Sequence, residues 1–351
     1  MRSLEDYYYE LPQSLIAQEP LPNRNDSRLL VLRRNSGKIT LSSFSCIDDF
    51  FPSRAILVMN NAKVTPARLY GLQQNSKVEV LILNPPTYSM REGIYELWCL
   101  VYPGKKFKVG SEIIFKGSDC DLTGKVVQIS QSGHRLIRFN FSDSPVLILE
   151  KLGHIPLPHY IKRPAREEDT LRYQTVYASD TNSGAIAAPT AGLHFTLEQL
   201  DRLKAKGFDQ VFVHLRVGAG TFQPLTEERL ETGKLHKEYV DIDPLAATEI
   251  RGAKLEGKSI ISVGTTTLRA IEWASLEGEL LPKSGFTDIF IRPGFKFKVA
   301  DGLITNFHLP CSSLLILVSA FAGLENIKRA YELAIQEKFR FYSYGDAMLI
   351  I

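Results

Sequence analysis

Between residues 55 and 150 the chain never stays apolar for long. AILVMNN, KVEVLIL, YELWCLVYP, SEIIFKG, GKVVQIS, HRLIRFNF and PVLILEK follow one another, with Gly, Pro, Asn or Ser between them. Short runs rich in β-branched and aromatic residues, punctuated by turn formers, are the mark of an antiparallel barrel or sandwich. About six strands in fewer than about 100 residues close on themselves more easily than they divide into two sheets, so a barrel is expected.

After Gly153 the texture changes. TLEQLDRLKAK (196–206) begins on a capping Thr and stops at Gly207, as a helix does. VFVHLRV is a strand, LAATEIRGAKLEG a helix, SIISV a buried strand, TTLRAIEWASLEG a helix, and NIKRAYELAIQEKF a final amphipathic helix. Such alternation indicates an α/β layer with crossover helices. The first 50 or so residues are less regular and are expected to pack on it. The fold class expected is therefore α/β: a large α/β domain of residues 1–57 and 153–351 with an inserted small antiparallel β-barrel domain of residues 58–152. The two ends of an insertion must lie close together.

The 351 residues are 44% apolar and 23% charged, the balance of a soluble globular protein. MRSLEDYYYELP lacks the apolar core of a secretion signal, which points to a cytoplasmic protein. Cys46, Cys99, Cys120 and Cys311 form no CxxC pair, which argues against structural zinc. A net charge of +3 does not announce nucleic-acid binding, although local basic groups stand around Arg24 and Arg28 and around Lys162 and Arg163.

GLITNFHLPCSSLLILVSAFAG (302–323) sets a polar cluster directly against the greasiest segment of the chain. The apolar half is about half of the ~20 residues of a membrane span, so a buried helix starting near Cys311 is expected. Asn306 and His308 then stand ahead of a helix N-terminus, where unpaired amides favour polar or anionic ligands. Four glycine-bearing loops lie next to expected strands: AIAAPTAGLHFT with Gly192 and His194, HLRVGAGTFQP with Gly218, Gly220, Thr221 and Phe222, SVGTTTLRAIE with Thr265, Thr266 and Arg269, and TDIFIRPGFKF with Asp288. Loops of this kind gather at the carboxyl ends of strands and are expected to line one site. GTTTLR suits a phosphate or carboxylate, whereas GAG has neither dinucleotide spacing nor a P-loop Lys. His308, His194, Asp288 and Asp346 are the titratable candidates for acid–base work, framed by Gly, Pro or aromatic neighbours.

YELPQSLIAQEPLPNRNDSRLLVL, ARLYG, GHIPLPHYIKR, YQTVYA, AAPTAGLHFT, VGAGTFQP, VGTTTLR, TDIFIRPGFKF, DGLITNFHLP, LVSAFAG and RFYSYGDAMLI, in that order, resemble the S-adenosylmethionine:tRNA ribosyltransferase-isomerase family of queuosine biosynthesis. The resemblance implies an enzyme that moves the ribosyl part of S-adenosylmethionine onto 7-aminomethyl-7-deazaguanine at the wobble position of a tRNA with a GUN-type anticodon. Adenine and methionine leave, and epoxyqueuosine remains. It also implies a large α/β domain with an inserted barrel, S-adenosylmethionine as co-substrate, and no metal. A monomer is expected. Catalysis falls to His308, His194, Asp288 or Asp346, and substrate contacts to Gly192, Arg216, Gly218, Gly220, Thr221, Phe222, Thr265, Thr266, Arg269 and Asn306. Arg24, Arg28, Lys63, Arg68, Lys162 and Arg163 are the cations expected to meet tRNA phosphates. The chain departs from the family pattern at Arg216, where His is usual, at Ala62 and Lys63, where Thr and Arg are commoner, and at His159, where Pro is commoner. Arg216 keeps open a second reading, a catalytically impaired tRNA-binding paralogue. A tRNA methyltransferase is disfavoured, since no acidic glycine-rich nucleoside motif follows the first strand.

Overall fold

A computed structural model of the chain describes residues 3–87, 89–218, 220 and 225–351. In chain order its strands begin with β1 (Arg28–Arg33), β2 (Lys38–Ser43) and β3 (Ala55–Asn60). Six more follow: β4 (Arg68–Gln73), β5 (Ser76–Ile82), β6 (Gly93–Tyr102), β7 (Glu112–Lys116), β8 (Asp121–Ile129) and β9 (Arg135–Phe141). Helices α1 (Pro145–Leu152), α2 (Asp169–Arg172) and α3 (Leu197–Ala205) lead to β10 (Asp209–Arg216), α4 (Glu227–Thr232), β11 (Lys234–Ile242), α5 (Pro244–Leu255) and β12 (Ser259–Val263). The remainder is α6 (Thr265–Ala274), β13 (Lys283–Ile289), β14 (Gly302–Asn306), α7 (Ser313–Ala322), α8 (Leu324–Gln336) and β15 (Ala347–Ile350).

Nine strands form one mixed sheet in the order β13-β11-β10-β3-β12-β14-β15-β1-β2. Side chains alternate between its two faces, and both faces are covered. Leu30, Ile56, Val58 and Met348 pack with Ile250 of α5, Ile271 of α6 and Val318 of α7, while Leu29, Leu57, Met59 and Leu349 pack on the opposite side with Phe44, Phe195 and Leu203 of α3. Strands buried on both sides read as unbroken apolar runs, which is why AILVMN of β3 shows no alternation. Within α7, Leu315, Ile316, Leu317, Val318 and Phe321 are buried, each worth about 1.5–3 kcal/mol of transfer free energy.

The other six strands close an antiparallel barrel, β4-β5-β6-β9-β8-β7. Here one face only is covered, and β7 alternates exposed and buried from Glu112 to Lys116. The expected boundary at residue 58 falls inside β3, which pairs in parallel with β10 and β12 in the large sheet. The barrel begins at Arg68 instead, with ARLYG as its first strand. PVLILEK is likewise not a strand. Pro145 occupies the first turn of α1, where its missing N–H costs nothing, and Ile148 and Leu149 pack on the barrel core. The two passages between sheet and barrel run side by side: Arg68 N donates to His154 O at 3.2 Å, and His154 N donates to Arg68 O at 2.8 Å. Gly153 permits this approach, because any side chain there would collide with the Pro66 carbonyl.

Candidate active site

Parallel β12 and β14 are neighbours in register, Val263 beside Ile304, and each leads into a helix whose N-terminus faces one cavity of about 530 Å³. GLITN is strand β14, fully buried, and the loop that follows it is residues 307–312. Gly264 caps α6, and the Ser312 hydroxyl accepts from Leu315 N to cap α7. The Thr190–His194 turn, residues 159–160 and residues 342–343 supply the remaining walls. Among the described residues no Asp, Glu, Lys or Arg lines the cavity. Its field is set by two helix N-termini and its walls by Tyr160, Tyr173 and Tyr342, so it suits an uncharged or anionic group at one end and an aromatic-faced cation at another.

His308 lines this cavity and is 8% exposed. Its Nε2 lies 2.8 Å from the Thr305 hydroxyl, which donates to the Asn306 carbonyl at 3.3 Å. When that hydroxyl donates to the Asn306 carbonyl it accepts from Nε2–H, and Nδ1 is then the ring's acceptor. Burial lowers the imidazolium to about 3, so the ring is neutral at physiological pH. Neutrality thus comes from desolvation, not from the helix N-terminus as position alone suggests.

Asn306 stands beside it with every polar atom engaged. Its Nδ2 lies 3.0 Å from His194 Nε2 and donates to Tyr342 O at 3.2 Å, while Oδ1 accepts from the Thr190 hydroxyl at 2.8 Å. His194 sits behind Asn306, outside the cavity, with Nδ1 2.8 Å from the Ser27 hydroxyl and its ring against Phe44. Burial, with Arg24 and Arg340 nearby, lowers it to about 3. Both ring nitrogens are spent inside the protein, so His194 positions Asn306.

The remaining expected site residues divide. Thr265 and Thr266 line the cavity, and Asn60 Nδ2 donates to the Thr266 hydroxyl at 3.3 Å. Arg269, one turn further into α6, pairs with the buried Glu238, whose Oε1 accepts from Gly218 N at 3.3 Å. Gly192 packs under the Tyr177 hydroxyl and Gly220 lies against the His236 ring. Thr221 and Phe222 lie outside the described residues. Arg216 is not in the lining; its guanidinium lies 5.2 Å from the Tyr239 ring, and its neighbour Val217 lines the cavity instead. Asp346 is far from solvent at 1% exposure and accepts from Arg28 N at 2.9 Å and Arg340 N at 2.7 Å; burial pushes its carboxyl up. Asp288 lies 4.0 Å from Lys234 on the outer strand β13, outside the cavity lining. The structure therefore gathers His308, Asn306, Thr265 and Thr266, and separates Asp288, Asp346 and Arg216 from them.

The cations expected to meet tRNA are engaged within the chain. Arg163 holds Asp169 through two hydrogen bonds of 2.6 and 2.9 Å, Lys63 lies 2.6 Å from Asp180, and Arg68 lies 3.3 Å from Glu79. Arg24 donates to the Leu193 and Leu171 carbonyls, Arg28 to the Glu337 carbonyl, and Lys162 to Gln13. No group of three His, Cys, Asp or Glu among the described residues is placed to hold a metal, and no described helix is long and apolar enough to cross a membrane.

A sequence model of a queuosine biosynthesis protein matches residues 4–350. The chain belongs to that family. It is 47% identical, over 99% of each chain, to the S-adenosylmethionine:tRNA ribosyltransferase-isomerase of Halothermothrix orenii, and equally to that of Desulforamulus reducens. Its fold matches the crystal structure of the S-adenosylmethionine tRNA ribosyltransferase from Thermotoga maritima with a TM-score of 0.56, at 35% identity over 99% of this chain and all of the other. Sequence reasoning missed Thr190, Thr305, Tyr160, Tyr173 and Tyr342 as lining residues. The signal was present in RFYSYGDAM, where two tyrosines frame Ser343, whose hydroxyl lies 2.6 Å from the Tyr160 hydroxyl.

Proposed function

We infer that the protein is an S-adenosylmethionine:tRNA ribosyltransferase-isomerase that uses the cavity at the ends of β12 and β14. The observation that carries this reading is a buried His308, held neutral by its burial, in a cavity that offers a sulfonium aromatic walls and, among the described residues, no charged side chain. The sulfonium acidifies the ribose carbon beside it, and the Nδ1 lone pair is the acceptor for that proton. Thr305 fixes the tautomer, Asn306 is held rigid by His194 and Thr190, and the threonines at the α6 N-terminus supply donors for adenine as it leaves. The tyrosines and α7 keep water from the intermediates. The ribosyl carbons pass to the amine of 7-aminomethyl-7-deazaguanine, at the wobble position of a tRNA with a GUN-type anticodon; the amine gives up a proton as its bond to carbon forms, and methionine leaves as the C–S bond breaks and the epoxide C–O bond closes. The protein acts in the cytoplasm, as a monomer, without a metal.

Incubation with S-adenosylmethionine labelled in adenine and with precursor-bearing tRNA tests the reading. Release of free adenine is expected. S-adenosylhomocysteine in its place would convict a methyltransferase, and tRNA binding with no release would leave the catalytically impaired paralogue.

A further inference from the structure

The barrel holds the charge that the rest of the chain lacks. Residues 68–141 carry ten Lys and Arg against six Asp and Glu, a surplus of four, where the whole chain has a surplus of three. On its outer face, a groove of about 600 Å³ is lined by Tyr70, Leu72, Tyr102 and Ile114 with Lys77 and Lys116 at its sides. Tyr70 is 47% and Tyr102 76% exposed, unusual positions for large aromatic side chains. Among the described residues neither lysine has an ion-pair partner, whereas Glu79, the one acid among those lining the groove, is already held by Arg68. The groove is also connected to the active site. The Tyr70 ring lies 5.1 Å from the ring of His154, and residues 154–159 run from there to His159 in the cavity lining. Five residues span at most about 18 Å, so the groove lies within a few nucleotides of the cavity.

We propose that this barrel face binds unpaired nucleotides of the substrate tRNA outside the modified position, with bases stacked on Tyr70 and Tyr102 and phosphates on Lys77 and Lys116. It rests on the functional reading above only for the identity of the polyanion. Stacking on exposed aromatic rings between cations is how single-stranded segments are held without base-specific readout. It also supplies the phosphate contacts that the internally paired Arg163, Lys63 and Arg68 do not.

The test uses the full chain with an unmodified tRNA transcript, binding followed by fluorescence anisotropy across a salt series, and adenine release from precursor-bearing tRNA. The pairs Tyr70→Ala with Tyr102→Ala and Lys77→Gln with Lys116→Gln should each weaken tRNA binding about tenfold or more, and raise KM for tRNA while kcat at saturating tRNA is retained. The lysine pair should also flatten the log–log salt dependence by about 0.7–0.9 per charge. Tyr70→Phe with Tyr102→Phe keeps the stacking faces and should bind like the parent, which separates lost stacking from a damaged barrel. Unchanged tRNA affinity and salt slope in both pairs would overturn the proposal. A parent protein that binds tRNA through these residues yet releases no adenine would leave the groove standing and remove the ribosyl-transfer reading instead.

Discussion

The ring of His308 is clamped by Thr305 three residues before it, Nε2 to hydroxyl at 2.8 Å, across the turn that joins the end of β14 to the loop before α7. The His308 side chain is thus held by the same strand that positions Asn306. The geometry of the cavity here is inherited from the sheet, with Thr305 and Asn306 as consecutive residues whose side chains take different partners.

His308→Gln should lower single-turnover adenine release by about a hundredfold or more, since a positioned base is worth about 10²- to 10⁴-fold. Affinity for S-adenosylmethionine and the melting temperature should stay close to the parent's. Near-normal release would return His308 to a packing role.

Stability should depend on pH through the buried imidazoles. His194 and His308 are lowered to about 3 and His214 to about 4, each chiefly by burial, from 6.5. Below 6.5 the unfolded chain takes up protons that the native state refuses, so stability is fully present above 6.5 and is lost as pH falls toward 3. Each histidine contributes a slope of up to about 1.4 kcal/mol per pH unit in that window. Urea titrations between pH 4 and 8 measure it, and a flat profile would mean that these rings protonate freely in the native state.

Arg269→Met should destabilise by about 3–5 kcal/mol, because Glu238 loses its charge partner at 4% exposure. Combining it with Glu238→Leu should recover much of the loss, since a well-packed apolar pair can replace a buried ion pair. A double-mutant cycle by denaturant unfolding gives the coupling; additive losses would show that the two side chains act independently.

Arg163→Ala should reduce stability and leave the salt dependence of tRNA binding unchanged. Its partner Asp169 is fully buried and also takes hydrogen bonds from Tyr344 and Arg166 N, at 2.7 and 2.8 Å, so the guanidinium belongs to the fold. A reduced salt slope would show instead that Arg163 reaches a phosphate.

Helices α3, α5, α6, α7 and α8 were legible from their periodicity and from punctuation such as the Thr196 hydroxyl accepting from Gln199 N at 3.1 Å, whereas α4 was not named. The barrel strands were legible as a group, but membership was not. AILVMN and KVEVLIL are both apolar runs of strand length, and only long-range pairing decides which sheet takes each. The missing alternation in AILVMN was the available clue to a strand covered on both faces. PVLILEK lost its helical identity to its β-branched and apolar content, with Pro145 as the overlooked first-turn signal. Asn306, His308, Thr265 and Thr266 could be expected on one cavity because TNFHLP and GTTT are two short motifs, each beside a helix start. Asp288 and Asp346 were misleading for a related reason: Gly and aromatic neighbours mark a tight local setting, but not which way a carboxylate points. The tyrosine walls come from segments far apart in the chain, and no local pattern announces that Tyr160 and Tyr342 rings meet at 4.6 Å.

Strand β15, residues 347–350 of 351, lies between β14 and β1 and pairs with both. During synthesis β1 emerges early and β14 late, and each waits with an open hydrogen-bonding edge until β15 has followed. The barrel has no such delay, since its strands are made consecutively and close locally. A chain cut before residue 347 would therefore have a finished barrel and a sheet split through its interior, presenting two apolar edges to any neighbour.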